Sequence, residues 1–160
     1  VSGETVTLSL WMGTEALNVE QVLGPGAVKH IAVRGRPNPA HCTATGKVFL
    51  SALPHDEAER ILSSPLKRYT DKTIVSRARL MAEIKAVRRM GYAINDGECL
   101  PDVAAIAAAV RNLRGEAVAA VAVTMPRYHF TPERREEIAR LVSAGAREIS
   151  RRLGFAEEGG

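Results

Sequence analysis

Two alanine-rich runs, VAAIAAAV at 103–110 and AVAAVAVTM at 117–125, stand on either side of RNLRGE and limit the possible folds more than any other feature. Each falls far short of the roughly 18 to 20 apolar residues that span a bilayer. Alanine by itself favours a helix. Each run, however, is too short for a typical free-standing helix, carries Val or Ile at intervals and is bounded by turn residues, and the Asn and Gly between them mark a hairpin loop. A pair of adjacent strands is predicted.

The remaining elements follow from periodicity and punctuation. ETVTLSLWM alternates Val6, Leu8 and Leu10 against Thr5, Thr7 and Ser9, the period of a half-buried strand, and EALNVEQVL follows the Gly13-Thr14 turn as its hairpin partner. VKHIAVRG, 28–35, is expected to be a third strand, ended by the Gly- and Pro-rich GRPNPA. ATGKVFLSAL and HDEAERIL read as helices on either side of Pro54, before the polar connector SSPLKRYTDKT. A third helix has Ser76 as N-cap, Leu80, Ile84, Val87 and Met81 on its apolar face, and Gly91 as its stop. YAIND is a short strand. The chain closes with a long helix capped by Thr131, with Pro132 at its first position and Ile138, Leu141, Val142, Ile149 and Leu153 on one stripe. Three strands, helices, three strands and a final helix predict an α+β domain with a mainly antiparallel sheet. A doubly wound parallel sheet fits badly, because strands and helices do not alternate regularly.

Composition narrows the setting. With 160 residues, 46% hydrophobic and 25% charged, the chain has the size and balance of one globular domain. Cys42 and Cys99 are too few to staple it and form no C-x-x-C pair, so a reduced, cytoplasmic setting is expected. The opening VSGETVTLSL, with neither an initiator Met nor the order of a secretory signal, reads as part of a longer protein. A net charge of +4 and a pI of 9.4 raise a DNA-binding reading. The arginines, though, are interleaved with glutamates: Glu136 with Arg140 and Glu148 with Arg152 have the i,i+4 spacing of a solvated helix face.

The stretch PAHCTATGKVFLSAL, 39–53, holds the concentrated chemistry. A phosphate loop would need a glycine five residues before Gly46 and a Ser or Thr after Lys47, where the chain has His41 and Val48. A Cys42 nucleophile would need a histidine at its sulfur, and His41 is its chain neighbour. No ligand spacing marks a metal site among His41, Cys42, Cys99 and Asp102, and no cofactor is expected. Asp96 and Glu98 could share acid and base work, or simply edge a turn. A helix starting near Thr43 to Thr45 would offer unpaired N–H groups and a positive dipole end to an anion such as a carboxylate, with the Thr43 and Thr45 hydroxyls beside it and Gly46 allowing close approach. Plain N-capping is the alternative.

GRPNPAHCTATGKVFLSALP resembles the signature of the effector-binding domain of IclR-type bacterial transcription regulators. SGETVTLSLWMGTEALNVEQV resembles that family's opening hairpin, KTIVSRARLMAEIKAVRRMGYAINDGE its Thr-Ile loop, helix and Gly-Tyr strand, and RGEAVAAVAVTMP its last hairpin, so the likeness covers nearly all of 2–154. The resemblance implies a GAF/PAS-like sensor with a central, mainly antiparallel six-stranded sheet flanked by helices and a pocket on one sheet face. It implies domain limits of 1–154 with a frayed tail at 155–160, a winged helix-turn-helix domain elsewhere in the full-length protein, and homodimers or tetramers. Operator DNA would be met only through that missing domain, and a small carboxylic or aromatic acid would be the effector.

Carried over by position, the pocket would use the backbone at Ala44 and Thr45 with Thr43 and Gly46, then Asn95, where the family often has an acidic residue, and Asp96. Val103 and Ala105, Ala122 and Thr124 would share one sheet face, and His30 would form a wall from the third strand. Two departures stand out: Asp102 occupies the family's usual Gly and Ala105 its usual Cys. Alanine at 105 and 122 implies either a roomier pocket or a helix packed closer. The rival reading is a small hydrolase-like enzyme using Cys42 or Asp96 and Glu98.

Overall fold

The structure, a computed structural model, describes residues 2–156. Strands β1 (Thr5–Trp11) and β2 (Glu15–Val22) form the opening hairpin, β3 is Pro37–Pro39, and helices α1 (Ala44–Ala52), α2 (His55–Ile61) and α3 (Arg77–Met90) follow. Strands β4 (Tyr92–Asp96), β5 (Val103–Arg111) and β6 (Ala117–Pro126) lead through a 3₁₀ turn (Arg127–His129) into α4 (Pro132–Arg152). The six strands form one sheet in the order β3-β2-β1-β6-β5-β4, and every pair is antiparallel. The predicted α+β class and hairpins are as expected.

Helices cover both faces, which explains the alanines. Along β5, Ala104, Ile106, Ala108 and Val110 pack with Ile138, Val142 and Ala146 of α4. Ala105 and Ala107 pack with Ala44 and Val48 of α1 and Val87 of α3 on the opposite face. A strand sandwiched between helices loses the polar alternation of a one-sided sheet and reads as a continuous apolar run. The caps act as expected: the Ser76 and Thr131 hydroxyls accept the N–H groups of Arg79 and Arg134, and Gly91 ends α3 at φ 79°.

Several expectations need correction. Residues 28–35 form no strand; the third strand is the three-residue β3, paired with Glu15–Leu17. In 28–35 the Ala32 N–H is taken by the Gln21 side chain and the Gly35 N–H by a single β2 carbonyl, that of Asn18, so no ladder forms. Val28, Ile31 and Val33 are exposed. In β1 the polar residues are the buried ones: Thr5, Thr7 and Ser9 face inward, Val6 and Leu8 pack partly against the α4 core, and Leu10 is exposed. The apolar stripe of α4 is narrower than its sequence suggests. Ile138, Ala139, Val142 and Ala146 are buried, whereas Leu141, Ile149 and Leu153 lie on an exposed flank.

Glu148 pairs with Arg152 at 2.8 Å as expected, and also with Arg151, while Glu136 and Arg140 form no ion pair among the described residues. Of the tail expected to fray at 155–160, Phe155 is half-buried and donates its N–H to the Ser150 carbonyl; residues 157–160 lie outside the described residues. No described helix is long and apolar enough to cross a membrane.

Candidate functional site

The turn between β3 and α1 builds the site's upper wall. Thr43, extended at φ −110° and ψ 147°, is the N-cap of α1: its hydroxyl accepts the Gly46 N–H at 3.2 Å and donates to the Pro39 carbonyl at 2.6 Å. Its capacity is thus spent on structure. The next two N–H groups, of Ala44 and Thr45, lie in the first helical turn, where no intrahelical acceptor exists, and they sit at the positive end of the helix dipole. Gly46 does not line the cavity, because the side where a Cβ would project is filled by the Ala40 backbone, at 2.4 Å.

Beneath this turn lies a narrow cavity of about 80 Å³. Thr43, Ala44 and Thr45 form the roof. Thr7, Ala122, Thr124, Ala105 and Val103 form the floor, from three neighbouring strands, and Asn18 on β2 and Asn95 on β4 flank it. His30, Ala32, Asn38, Cys99 and Leu100 complete the lining. Of the residues expected there from the sequence, Gly46 and Asp96 are outside and the others are brought together. His30 arrives from the irregular 28–35 segment rather than from a strand. Thr7, Asn18, Ala32, Asn38, Cys99 and Leu100 were not anticipated. The signal for the first was present in the buried polar face of β1, but alternation gives the period and not which face is covered.

Asp96 points away, into a neighbouring surface groove with Lys29, Asp102, Arg127 and Tyr128. Partial burial would raise its pKa, but hydrogen bonds from Arg127 at 2.7 Å and Lys72 at 3.1 Å outweigh that and hold its carboxyl below the ordinary range. Glu98 goes the opposite way, inward. Lys47, fully buried, places its ammonium against Glu83, the Ile94 carbonyl at 2.9 Å and Glu98. It lies 2.7 Å from both Glu98 oxygens, but only Oε1 is placed to accept a hydrogen bond, and Oε2 is buried without a donor. Burial pushes the Glu98 carboxyl above its ordinary 4.5, against the pull of Lys47. The native state therefore holds the Glu98 proton more tightly than the unfolded chain, and this contribution to stability is lost as pH rises from 4.5 through the raised value. Relative to Glu98→Gln, the wild type should lose stability across that window in urea unfolding; a relative gain with pH would refute burial as the controlling influence.

The enzymatic alternatives find little geometry. Cys42 is buried, and its thiol is pushed up, first by a hydrogen bond to Cys99 and then by burial, while Cys99 is lowered by the same contact. His41 donates Nε2–H to the Lys67 carbonyl at 2.8 Å, so the adjacent imidazole is engaged elsewhere. Asp96 and Glu98 are tied to different cations on opposite sides of their loop. No group of three or more His, Cys, Asp or Glu able to hold a metal ion occurs among the described residues. What the cavity offers is binding: backbone and amide donors, three threonine hydroxyls and apolar floor. It has no carboxylate, lysine or arginine in its lining, and burial lowers the pKa of His30 below the ordinary imidazole value.

Comparison with known proteins bears on this cavity. The family model described as "Bacterial transcriptional regulator IclR C-terminal" matches residues 1–151. The HTH-type transcriptional repressor AllR of Klebsiella pneumoniae is 34% identical over 156 residues, which are 97% of this chain and 57% of the relative. This chain therefore spans a little over half the length of that repressor. The crystal structure of Thermotoga maritima IclR superposes with a TM-score of 0.90 at 30% identity, over 96% of this chain and 63% of that one. The inducer-binding domain of the transcription factor PobR from Acinetobacter, a double mutant solved in complex with 3-hydroxybenzoic acid, gives a TM-score of 0.82 at 26% identity, over 92% of this chain and 87% of that one.

Proposed function

Since the chain belongs to the IclR family of bacterial transcriptional regulators and matches its C-terminal part, we propose that it senses a small organic acid in the cavity under α1 and so modulates DNA binding by the full-length protein. The observation that carries the reading is the coincidence of an apolar-floored cavity with two N–H groups, of Ala44 and Thr45, at a helix N-terminus on its roof. The 3-hydroxybenzoic acid bound by the PobR domain adds support for an acid. The site on this reading comprises Thr43, Ala44, Thr45, His30, Asn95, Val103, Ala105, Ala122 and Thr124, with Thr7 and Asn18 added. The sensor would occupy 1–154 of this chain and work in the cytoplasm as part of a homodimer or tetramer. Operator DNA would be contacted through a winged helix-turn-helix domain outside this chain. It would be a binding module without turnover: the Cys42 thiol is pushed up by Cys99 and by burial, and the Asp96 carboxylate lies outside the cavity.

The test is thermal unfolding against a panel of aliphatic and aromatic monocarboxylates. A ligand at about 100 times its dissociation constant adds roughly 2.7 kcal/mol of stability. Ala44→Pro removes one roof donor at the first helical position, where proline is well suited, and Thr43 before it already has the extended backbone that a following proline requires. The variant should fold and lose about tenfold or more in affinity, the worth of a charge-assisted hydrogen bond. An acid that stabilises wild type and Ala44→Pro equally would place binding elsewhere.

A further inference from the structure

Cys42 and Cys99 come from distant parts of the chain and meet beside the cavity. Cys42 lies in the turn before α1 and is fully buried. Cys99 lies in the loop after β4, is half-buried, and lines the cavity together with Thr43 and Ala44, the two residues that follow Cys42. The Cys42 thiol donates a hydrogen bond to the Cys99 sulfur.

Both backbones are held from several sides. Next to Cys42, the Thr43 hydroxyl donates to the Pro39 carbonyl at 2.6 Å and accepts the Gly46 N–H at 3.2 Å. Next to Cys99, Glu98 gives its N–H to Asn95 Oδ1 at 2.9 Å, its carbonyl accepts the Thr73 hydroxyl at 2.7 Å, and its carboxylate accepts from Lys47 at 2.7 Å. Lys47 stands on α1, so the loop that carries Cys99 is tied to the helix that begins just after Cys42. The fold keeps the two sulfurs in contact, and rotation of the side chains is what would bring them to a bond of about 2.05 Å.

The two thiols are not equivalent. Only Cys99 reaches the cavity. The hydrogen bond from Cys42, helped by the field of Arg36, holds the Cys99 thiol below its ordinary range against the effect of burial. Thiolate is the form that attacks an oxidant. A small oxidant entering the cavity thus meets Cys99 first, with Cys42 behind it as the resolving thiol, which is the arrangement of a reversible oxidation site.

We propose that Cys99 and Cys42 are a peroxide-sensitive pair that closes into a reversible disulfide and locks the roof of the cavity to its wall. In the first step the Cys99 sulfur takes one oxygen of a hydroperoxide: the S–O bond forms, the O–O bond breaks, and the thiol proton ends on the leaving oxygen as an alcohol, or as water from hydrogen peroxide. Cys99 is then a sulfenic acid. In the second step the Cys42 sulfur attacks the Cys99 sulfur, the S–O bond breaks, and the Cys42 proton leaves with the hydroxyl as water. Small thiols reverse the change by exchange, becoming a disulfide themselves. Cytosolic disulfides are mostly transient and sensory, which agrees with a pair that lies outside any structural framework. The inference is independent of which ligand the cavity binds.

The experiment is treatment of the reduced 160-residue chain with stoichiometric hydrogen peroxide, acid quenching, alkylation in denaturant and intact mass measurement. Because the chain has two cysteines, an intramolecular disulfide can only be this one. The expected product has lost two hydrogens, takes up no alkyl group and regains both alkylations after dithiothreitol. Closure should be at least tenfold faster in the folded chain than in the chain unfolded in urea. The oxidised domain should also unfold about 5–15 °C higher, since the bridge closes a long loop. Cys42→Ser should stop at a sulfenic acid on Cys99, captured by dimedone, and Cys99→Ser should leave Cys42 reacting at least tenfold more slowly than Cys99 does in wild type. Closure no faster than in urea, disulfides only between chains, a lower unfolding midpoint on oxidation, or overoxidation of Cys99 with Cys42 still alkylated would overturn the proposal while leaving the acid-sensor reading intact. Should a variant not fold, the wild-type products and rates decide by themselves.

Discussion

Replacing Lys47 with methionine will destabilise the domain by about 3–5 kcal/mol, the cost of removing one partner from a buried ion pair. In a domain of this size about 2–4 °C of midpoint accompanies each kcal/mol, so the unfolding temperature should fall by about 6–20 °C. The ammonium is fully buried and holds three elements at once: α3 through Glu83, β4 through the Ile94 carbonyl and the loop after β4 through Glu98. Methionine fills similar volume but leaves Glu98 buried without a cation. Because a protonated Glu98 tolerates that environment, the loss should shrink as pH falls, and adding Glu98→Gln to Lys47→Met should restore part of the stability. Arginine should not rescue, since the larger guanidinium has no space in a fully buried site. Urea unfolding of the set at two pH values checks the scheme. A loss below about 1 kcal/mol would rank this cluster with surface pairs.

Gly46→Ala should be comparably damaging for a different reason. The added Cβ would stand 2.4 Å from Ala40 Cα and 2.5 Å from its carbonyl oxygen, and backbone atoms cannot swing aside as a side-chain end can. Either α1 or the turn before it must move, at an expected cost of about 3 kcal/mol, the upper part of the range for overpacking. The first turn of α1 is also the roof of the cavity, so binding should be lost along with stability. Gly145→Ala is the internal control: nothing lies within 4 Å of its Cβ position in α4, and the helix should gain about 0.5–1 kcal/mol. If both glycines respond alike, the close approach at Ala40 is not what requires glycine at 46.

Much of this arrangement was legible from local signals. Caps and stops such as Ser76, Gly91, Thr131 and Pro132 act within a few residues, and they bounded α3 and α4 closely. The hairpin at RNLRGE was legible for the same reason. What failed depended on distant partners. VKHIAVRG has strand-like residues, but β2 gives its edge to Pro37–Pro39, and prolines suit that position because they end the sheet with fewer donors. The inward threonines of β1 looked like the wet face of a strand until α1 and the 28–36 segment covered them. Lys47 carried no sign of burial, since its two carboxylates are 36 and 51 residues away in sequence. For the same reason, Asp96 and Glu98 appeared in the sequence as a pair, although the turn at Gly97, φ 74°, sends them to different sides.

The alanines of β5 have one more consequence. Ala105, on the cavity floor, is bonded directly to Ala104 and Ile106, which seat α4 on the far side. Between the two compartments there is one backbone's thickness, trimmed mostly with methyl groups, and no layer of long side chains to absorb displacement. A displacement of this strand from the cavity side would therefore change the spacing beneath α4 directly, with no intervening layer of side chains.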